Sequence, residues 1–377
     1  MTPLRILILE AQVPFVHGGA EILVRELAAA LAARGHDAQV VSVPFQDYPK
    51  EELFAGAEAW RLLDVTKAPG GDVDLVVATK FPTYFARHPR KVLWLVHQHR
   101  AAYELCGTRF SDFSHTERDV ALRRRLLETD TRMLRECAGH FTIARTVSDR
   151  MLKYNAIASE ALYNPPKLAG RLHGGPYGDY VLTVTRLEHV KRLDLTIDTF
   201  EKTGSSLRLL IAGDGSIRQE LREYIERRGL RDRVTLLGRV DDDRLIELYA
   251  GCRAVLFAPY QEDYGYVTLE AFLSRKPVIT ASDSGGTLEF VVDGVNGCVC
   301  DPTPDALAAA VNRLDADPAL AAALGDRGYG VAAAMTWDHV VDRLLDAGSR
   351  TQPPSRFALR RSAEASAEAE GSAAEHQ

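Results

Sequence analysis

The chain has 377 residues, with 46 Lys and Arg against 52 Asp and Glu, which gives a formal net charge of −6. This length exceeds the size at which one hydrophobic core usually stops growing, so two domains are expected. The acidic balance gives no sign of a nucleic-acid partner. No apolar run reaches the roughly 18 residues of a membrane helix. The five cysteines form no CxxC pair, so we interpret them as reduced thiols of a cytoplasmic protein.

The first half of the chain alternates short apolar runs with helical patterns. A helix is predicted over residues 20–34, ending before Gly35. Strands alternating with helices favour a parallel sheet. A stretch rich in proline and glycine at residues 164–176 predicts the boundary between two domains. The predicted strands of the first domain lie at residues 4–9, 38–43, 73–79, 92–97 and 140–144.

The same alternation then restarts, with strands predicted at residues 180–185, 207–212, 234–237, 254–258 and 277–280. The sequence therefore predicts an α/β protein with two Rossmann-like, doubly wound parallel-sheet domains, residues 1–169 and 170–350. Ligands of such sheets bind at the carboxyl ends of the strands, so the two domains should face a shared cleft. Residues 351–377 are dominated by Ser, Ala, Glu and Pro and are predicted to be disordered.

The segment from Glu262 to Glu270 is the strongest indication of function. It follows an apolar strand and runs through Gly265, Tyr266 and Val267 into a helix. The first N–H groups of a helix attract anions. A carboxylate on either side could bind the hydroxyl groups of a molecule attached to that anion. The arrangement favours a ligand with a sugar, a diphosphate and a ribose.

Arg186 and Lys191 follow the first strand of the second domain. An arginine fork and a lysine point charge at a strand exit can neutralise a diphosphate leaving group. The alternative is two surface cations paired with a neighbouring carboxylate such as Glu188 or Asp194.

Weaker signals lie at other strand exits. Gly18 and Gly19 precede the first helix, where backbone could approach a phosphate, although a plain turn explains them equally well. His97 ends a predicted strand, a position where ligands bind, although a lone histidine is more often packed or at the surface. Gly213, and Arg239 with Val240, follow two strands of the second domain and complete a rim suited to a nucleotide.

Together these residues resemble the retaining glycosyltransferases of family 4, which have the GT-B fold. The resemblance covers about residues 3–350. Its specific motifs are the Arg-x4-Lys pair and the Glu-x7-Glu element, supported by the early glycines and the histidine. The helix containing Trp337 is similar to the closing helices that return toward the first domain in this fold.

The resemblance implies a role for each motif. Arg186 and Lys191 would hold the diphosphate of a nucleotide sugar, Glu262 the sugar hydroxyls and Glu270 the ribose. Gly19 would contact phosphate across the cleft, and His97 would contact the sugar. The acceptor, a saccharide or a lipid-linked saccharide, would lie on the first domain. A role in polysaccharide biosynthesis is expected.

The family transfers sugars without a metal or other cofactor and with retention of configuration. Asp241 to Asp243 is the nearest approach to a metal-binding DxD motif, but it has the pattern of a helix start capped by Asp241. Since no carboxylate is an evident nucleophile, we expect front-side attack by the acceptor hydroxyl. A nucleotide-sugar 2-epimerase of the same fold and a non-catalytic sugar-nucleotide-binding protein remain the alternatives.

Residues 85–135 carry an excess of basic side chains, including Arg123, Arg124 and Arg125. The excess is typical of a solvated helix face. A second interpretation is a surface for an anionic acceptor or for peripheral contact with the inner face of the cell membrane.

Overall fold

A computed structural model describes residues 2–15, 18–46 and 48–349, so the predicted tail beyond residue 350 lies outside the described residues. The first half forms a parallel sheet with strand order β2-β1-β5-β6-β7-β8 and a separate two-stranded ribbon, β3-β4. Its strands are β1 (Arg5–Gln12), β2 (Asp37–Pro44), β3 (Lys67–Ala68), β4 (Gly71–Asp72), β5 (Leu75–Lys80), β6 (Lys91–His97), β7 (Gly139–Thr142) and β8 (Glu160–Ala161). Its helices are α1 (Gly19–Ala33), α2 (Leu53–Leu62), α3 (Glu117–Leu134) and α4 (Arg145–Asn155).

The second half forms another parallel sheet, with strand order β11-β10-β9-β12-β13-β14. Its strands are β9 (Tyr180–Val184), β10 (Arg208–Ala212), β11 (Val234–Gly238), β12 (Ala254–Leu256), β13 (Val278–Ala281) and β14 (Gly297–Cys300). The helices that follow them are α5 (Leu193–Lys202), α6 (Arg218–Arg227), α7 (Asp242–Gly251), α8 (Tyr266–Leu273), α9 (Pro304–Ala316), α10 (Pro318–Ala333) and α11 (Trp337–Gly348).

The ten predicted strands are all present, and the ones at the sheet centres explain why the prediction worked. Strands β5 and β6 contain continuous apolar runs, at residues 75–78 and 92–96, and every residue of the two strands except the last of β6 is buried. Helices on both faces of a parallel sheet require such runs. The short strands β3, β4, β8 and β14 are not among the predicted ones, because two to four residues carry too little pattern.

Both sheets reverse their strand order beside their first strand, which places a crevice at the carboxyl ends of β1 and β9. In the first sheet the chain passes from β1 outward to β2 and then returns to β5 on the other side. In the second sheet it passes from β9 to β10 and β11 and returns to β12. Ligands bind at such switch points in open α/β sheets.

The last helix, α11, packs on the first sheet. The ring of Trp337 lies edge-on to the ring of Trp94 in β6, with the ring centroids 5.9 Å apart. At the surface the guanidinium of Arg34 pairs with the carboxylate of Asp342. The last described helix therefore packs on the first half of the chain.

The basic segment of residues 85–135 contains helix α3, and several of its arginines are bound by their own neighbours. Arg118 pairs with Glu51 at 3.0 Å, and the Arg125 guanidinium lies 4.2 Å from the Phe54 ring centroid. Arg123 donates a hydrogen bond of 2.6 Å to the carbonyl of Ala102. Membrane contact through this surface stays a prediction. None of the helices in the described ranges combines the length and apolar character that crossing a bilayer requires.

Candidate donor-binding cleft

A cleft of about 970 Å³ lies between the carboxyl ends of the two sheets, and all thirteen predicted site residues line it. Clefts that bind nucleotide-sized ligands usually have volumes of about 300–1,000 Å³. The predicted residues come from six separate strand exits and loops, which only the fold brings together. They are Gly18, Gly19, His97, Arg186, Lys191, Gly213, Arg239, Val240, Glu262, Gly265, Tyr266, Val267 and Glu270.

The two cations that follow β9 differ in exposure. The ammonium of Lys191 is mostly buried and pairs with the carboxylate of Glu262. Arg186 pairs with Glu188 at 3.0 Å, and 46% of its side chain is exposed. Glu188 is therefore a salt-bridge partner of the kind the surface-cation alternative requires, but exposed pairs are weak and leave the guanidinium available to a ligand. The other candidate partner, Asp194, lies 3.4 Å from Arg109 instead.

The loop after β12 turns sharply into α8 at Gly265. Its φ of +82° is a conformation that L side chains rarely adopt, and a Cβ at this position would lie 2.9 Å from the Thr287 hydroxyl oxygen. Glycine is therefore required for the turn. The turn directs the amino end of α8, with Tyr266 and Val267, at the cleft. The first N–H groups of a helix have no partner inside it and can bind an anion.

Glu270 lies one turn into α8 and is held by a residue that sequence reasoning missed. Its Oε2 accepts a hydrogen bond of 2.7 Å from the hydroxyl of Tyr249, a fully buried residue of α7. Burial raises the pKa of Glu270, and the Tyr249 hydrogen bond opposes that rise. The other carboxylate oxygen remains to bind a ligand. Tyr249 lies in an amphipathic helix, where its apolar position gave no sign of a polar role.

Close backbone approaches build the rest of the second-domain wall. At Gly213 φ is +137°, and a Cβ there would lie 1.8 Å from the Thr185 carbonyl oxygen. The Gly213 N–H donates to the Gly238 carbonyl at 2.8 Å, which ties the exit of β10 to that of β11. Arg239 and Val240 follow directly, and Asp241 caps α7 as predicted by accepting a 2.8 Å hydrogen bond from the Arg244 N–H.

The glycine loop of the first domain lies directly against the second domain. A Cβ on Gly18 would be 3.5 Å from Nε of Arg186, and one on Gly19 would be 3.2 Å from the ring of Tyr266. Any larger side chain at Gly19 would have to displace that ring. The two glycines therefore allow the walls of the cleft to approach each other.

A buried ion pair beneath this loop was not predicted. Glu21 accepts hydrogen bonds from the Gly18 N–H at 2.9 Å and from the Lys80 ammonium at 2.7 Å. Burial alone would raise the pKa of Glu21, but Lys80 and the backbone N–H groups outweigh it and the pKa is lowered. The available signals were Glu21 in the capping position of α1 and Lys80 at the end of an apolar strand. The pair leaves this part of the wall without net charge.

His97 lines the cleft at the end of β6. Burial lowers its pKa to about 4, with Lys80 and Arg100 acting in the same direction against Asp263. The imidazole is therefore neutral near pH 7. Its Nδ1 lies 2.8 Å from the Gln98 carbonyl oxygen. Since a carbonyl only accepts hydrogen bonds, Nδ1 carries the proton and Nε2 is an acceptor.

The described ranges contain no group of three or more His, Cys, Asp or Glu side chains placed to hold a metal ion. The expected independence of metal is a statement about activity, and it stays a prediction.

Solved structures of low sequence identity share this two-sheet architecture. Sucrose-phosphate synthase from Thermosynechococcus elongatus superposes with a TM-score of 0.75 at 18% identity, covering 91% of this chain and 98% of that one. HepE from Anabaena, solved in complex with UDP and glucose, gives 0.67 at 19% identity, covering 92% and 99%. The fold is GT-B, as predicted.

Residues 177–331 match the family model of the glycosyl transferases group 1, which confirms the predicted resemblance at that coarser level for the second domain. Membership of family 4 and retention of configuration stay predictions. The human alpha-1,3/1,6-mannosyltransferase ALG2 is 31% identical over 161 residues, 38% of each chain. An uncharacterised glycosyltransferase of Methanocaldococcus jannaschii is 26% identical over 350 residues, covering 81% of this chain and 87% of its own. The match spans about two fifths of the length of the mannosyltransferases, 38% and 43% for the human and Dictyostelium discoideum proteins.

Proposed function

We propose that this protein is a retaining glycosyltransferase that moves a sugar from a nucleoside diphosphate sugar to a saccharide or lipid-linked saccharide, without a metal. One observation carries the proposal. Arg186, Lys191, Glu262 and Glu270 line a single cleft together with Tyr266 and Val267 at the amino end of α8. Cations, helix N–H groups and two carboxylates are what a sugar, a diphosphate and a ribose require.

In this proposal the diphosphate lies between Arg186, Lys191 and the N–H groups of Gly265, Tyr266 and Val267. Glu270 binds the ribose, with its orientation fixed by Tyr249. The base lies against Gly213, Arg239 and Val240. Lys191, which now pairs with Glu262, would contact the ligand diphosphate while Glu262 binds hydroxyl groups of the sugar. His97 accepts a hydrogen bond from another sugar hydroxyl through Nε2.

The reaction follows from that placement. The bond between the anomeric carbon and the β-phosphate oxygen breaks, and Arg186 and Lys191 stabilise the charge that develops on the departing diphosphate. The acceptor hydroxyl attacks from the same face and forms the new glycosidic bond. Its proton passes to the leaving phosphate oxygen. Attack from the departing face retains the configuration.

The named relatives support a transferase over the two alternatives. The human relative bears the name of a mannosyltransferase, and a Streptomyces kanamyceticus relative, 34% identical over 145 residues, that of an alpha-D-kanosaminyltransferase. The four charged residues of the cleft are intact, which disfavours a non-catalytic protein. In our proposal the enzyme acts in the cytoplasm, at the inner face of the membrane when its acceptor is a lipid.

The test is thermal unfolding in the presence of UDP, GDP, ADP, TDP or CDP, repeated on an Arg186→Ala/Lys191→Ala variant. A ligand at 100 times its Kd should stabilise the protein by about 2.7 kcal/mol. For a domain of this size that is a rise of roughly 5–10 °C in Tm. We expect a rise with one nucleotide that the variant loses. No rise with any of the five would contradict the proposal.

Product analysis then separates the reactions. With the nucleotide sugar of the matching base and an acceptor, a transferase yields a glycoside and a nucleoside diphosphate. The epimerase yields an altered sugar nucleotide without acceptor, and a binding protein yields neither. The anomeric configuration of the product, read by NMR coupling constants, tests retention, and activity in excess chelator tests independence of metal.

A further inference from the structure

Four buried charges form a closed ring between the two domains, directly beside Glu262. Asp263 lies 2.5 Å from Arg150 through Oδ1 and 3.3 Å from Arg100 through Oδ2. Glu104 completes the ring, 2.5 Å from Arg100 and 2.8 Å from Arg150. The side chains of all four are between 3% and 17% exposed. Three members belong to the first domain, and only Asp263 to the second.

The ring acts on both neighbours of Glu262 in the chain. Besides pairing with Asp263, Arg100 donates a hydrogen bond to the backbone carbonyl of Gln261, whose φ is +48°. The backbone of Glu262 is itself bonded within the second domain, to Ser284 and Gly286. The segment that presents the Glu262 carboxylate is therefore clamped from the opposite side of the cleft.

The ring as a whole has no net charge, and the loss of any one member would be energetically unfavourable. Two guanidinium groups face two carboxylates, and each carboxylate oxygen lies between 2.5 and 3.3 Å from a guanidinium nitrogen. Oε2 of Glu104 is held by charge alone, since its contact with Arg150 lacks hydrogen-bond geometry. Burial alone would raise the pKa of Asp263, but Arg100, Arg150 and His97 outweigh it and the pKa is lowered. Removing one member leaves a buried charge without its partner, which is strongly unfavourable. Separating the two domains at this point would therefore part Asp263 from both arginines.

We propose that Arg100, Arg150 and Asp263 are positioning residues that bring the Glu262 carboxylate into place for the donor sugar when the two domains close. The inference rests on the proposed function, because it assigns Glu262 to the sugar part of the ligand. It makes recognition of the sugar depend on the first domain, whereas recognition of the nucleoside diphosphate depends on the second. Opening of the ring releases the sugar contact and leaves the nucleotide contact.

The test compares the affinity for the nucleoside diphosphate with that for the matching nucleotide sugar, both by calorimetry. In Asp263→Asn the affinity for the nucleotide sugar should fall by about tenfold or more, since small misplacements are costly in such sites. The affinity for the nucleoside diphosphate should stay within about twofold of wild type. The Arg150→Gln/Asp263→Asn double variant should lose less than the sum of the two single losses, because the members act as one network.

A fold-preserving variant and a matched control complete the design. Arg100→Lys keeps the charge but loses the fork that binds both Gln261 and Asp263, so it should also weaken sugar binding selectively. Arg109→Gln removes an exposed ion pair between the same two domains, with 65% and 48% of the Arg109 and Asp194 side chains exposed, and should change neither affinity.

Equal losses for both ligands in the folded variants, or no loss for either, would overturn the positioning role while leaving the glycosyltransferase intact. Wild-type protein that binds none of the nucleotides would overturn the proposed function, and the ring's role with it.

Discussion

The two walls of the cleft are built from different chemistry. The second-domain wall presents Arg186, Lys191, Glu262 and Glu270, all charged groups placed by strand exits of one sheet. The first-domain wall presents two glycines and a neutral histidine. Its lining cations Lys80, Arg100 and Lys167 are each paired with a carboxylate, of Glu21, Glu104 and Asp242 respectively. One wall suits a charged nucleotide, and the other suits neutral hydroxyl groups. Under the proposed function, the second domain would recognise the charged groups of the ligand and the first domain its hydroxyl groups.

The match to the family model is confined to one of the two walls. The family model covers residues 177–331, which include the whole charged wall and none of the neutral one. The family model therefore matches the part of the chain that carries the charged wall, whereas the Methanocaldococcus jannaschii relative aligns over 350 residues. In the proposed function, the acceptor would be selected at the neutral wall. Substitutions on the two walls should consequently differ both in the size of their effects and in which measured constant they change.

The largest effect is expected at Lys191 on the charged wall. Lys191→Ala removes a cation that would stabilise the departing diphosphate, and it leaves Glu262 without its present partner. Loss of one charge-stabilising group typically lowers turnover by roughly 10²-fold or more. Initial-rate measurements at saturating nucleotide sugar would show the loss in kcat.

The control is Lys202→Ala, which removes an exposed lysine at the end of α5 that does not line the cleft. Its turnover should equal that of wild type. Near-native turnover in Lys191→Ala would remove the diphosphate role from this lysine, and it would also weaken the distinction between a charged and a neutral wall.

A smaller effect is expected from the residue that holds Glu270. Tyr249→Phe removes one hydrogen bond to that carboxylate and should weaken nucleoside diphosphate binding by about tenfold, as expected when one partner of a buried hydrogen bond is lost. The hydrogen bond lowers the pKa of Glu270, so its removal lets burial raise that pKa further. Since the ribose hydroxyls need the ionised carboxylate, binding should begin to fail at a higher pH in the variant.

Calorimetric titrations between pH 5 and pH 8 measure both parts of this prediction. Tyr224→Phe is the matched control, because the Tyr224 hydroxyl donates a 2.6 Å hydrogen bond to Asp198 away from the cleft. A Tyr249→Phe protein with wild-type affinity and an unchanged acid limb would show that Glu270 needs no support from α7.

The division also explains what the sequence could predict. The ten predicted strands and the residues at their exits follow from apolar runs and from glycine or charge placed directly after them. Arg186 with Lys191, and Glu262 with Glu270, are close in the chain, so their spacing carries the signal. Their pairing across the sheet, such as Lys191 with Glu262, follows from the order of β9 and β12.

Contacts between distant segments could not be predicted in this way. Arg100, Arg150 and Asp263 are separated by 50 and 113 positions, and each alone is an ordinary charged residue of a loop or helix. Tyr249 lies 21 positions before its partner Glu270 and occupies an apolar position of α7. Such groups are identified only when packing shows which charges are buried together, because burial is what turns a common side chain into a constrained one.

The smallest effect is expected on the neutral wall, at His97. Its pKa of about 4 keeps the imidazole neutral over the range in which the enzyme would be assayed, so it acts through Nε2 as a hydrogen-bond acceptor and not as a cation. His97→Gln retains an acceptor oxygen on a side chain of similar reach and should cost only about twofold to fivefold in kcat/KM. His97→Leu removes the acceptor and should cost somewhat more, about fivefold to eightfold in kcat/KM, comparable to one neutral hydrogen bond.

The pH profile distinguishes this role of His97 from a charged one. If the imidazole is neutral, wild type and His97→Gln should show profiles of the same shape between pH 5 and pH 9, displaced only in height. A limb near pH 6 to 7 that is present in wild type and absent in the variant would mean that His97 is cationic when it binds the ligand. The first-domain wall would then contribute charge to the diphosphate, and the separation of the two walls into one for charge and one for hydroxyl groups would fail.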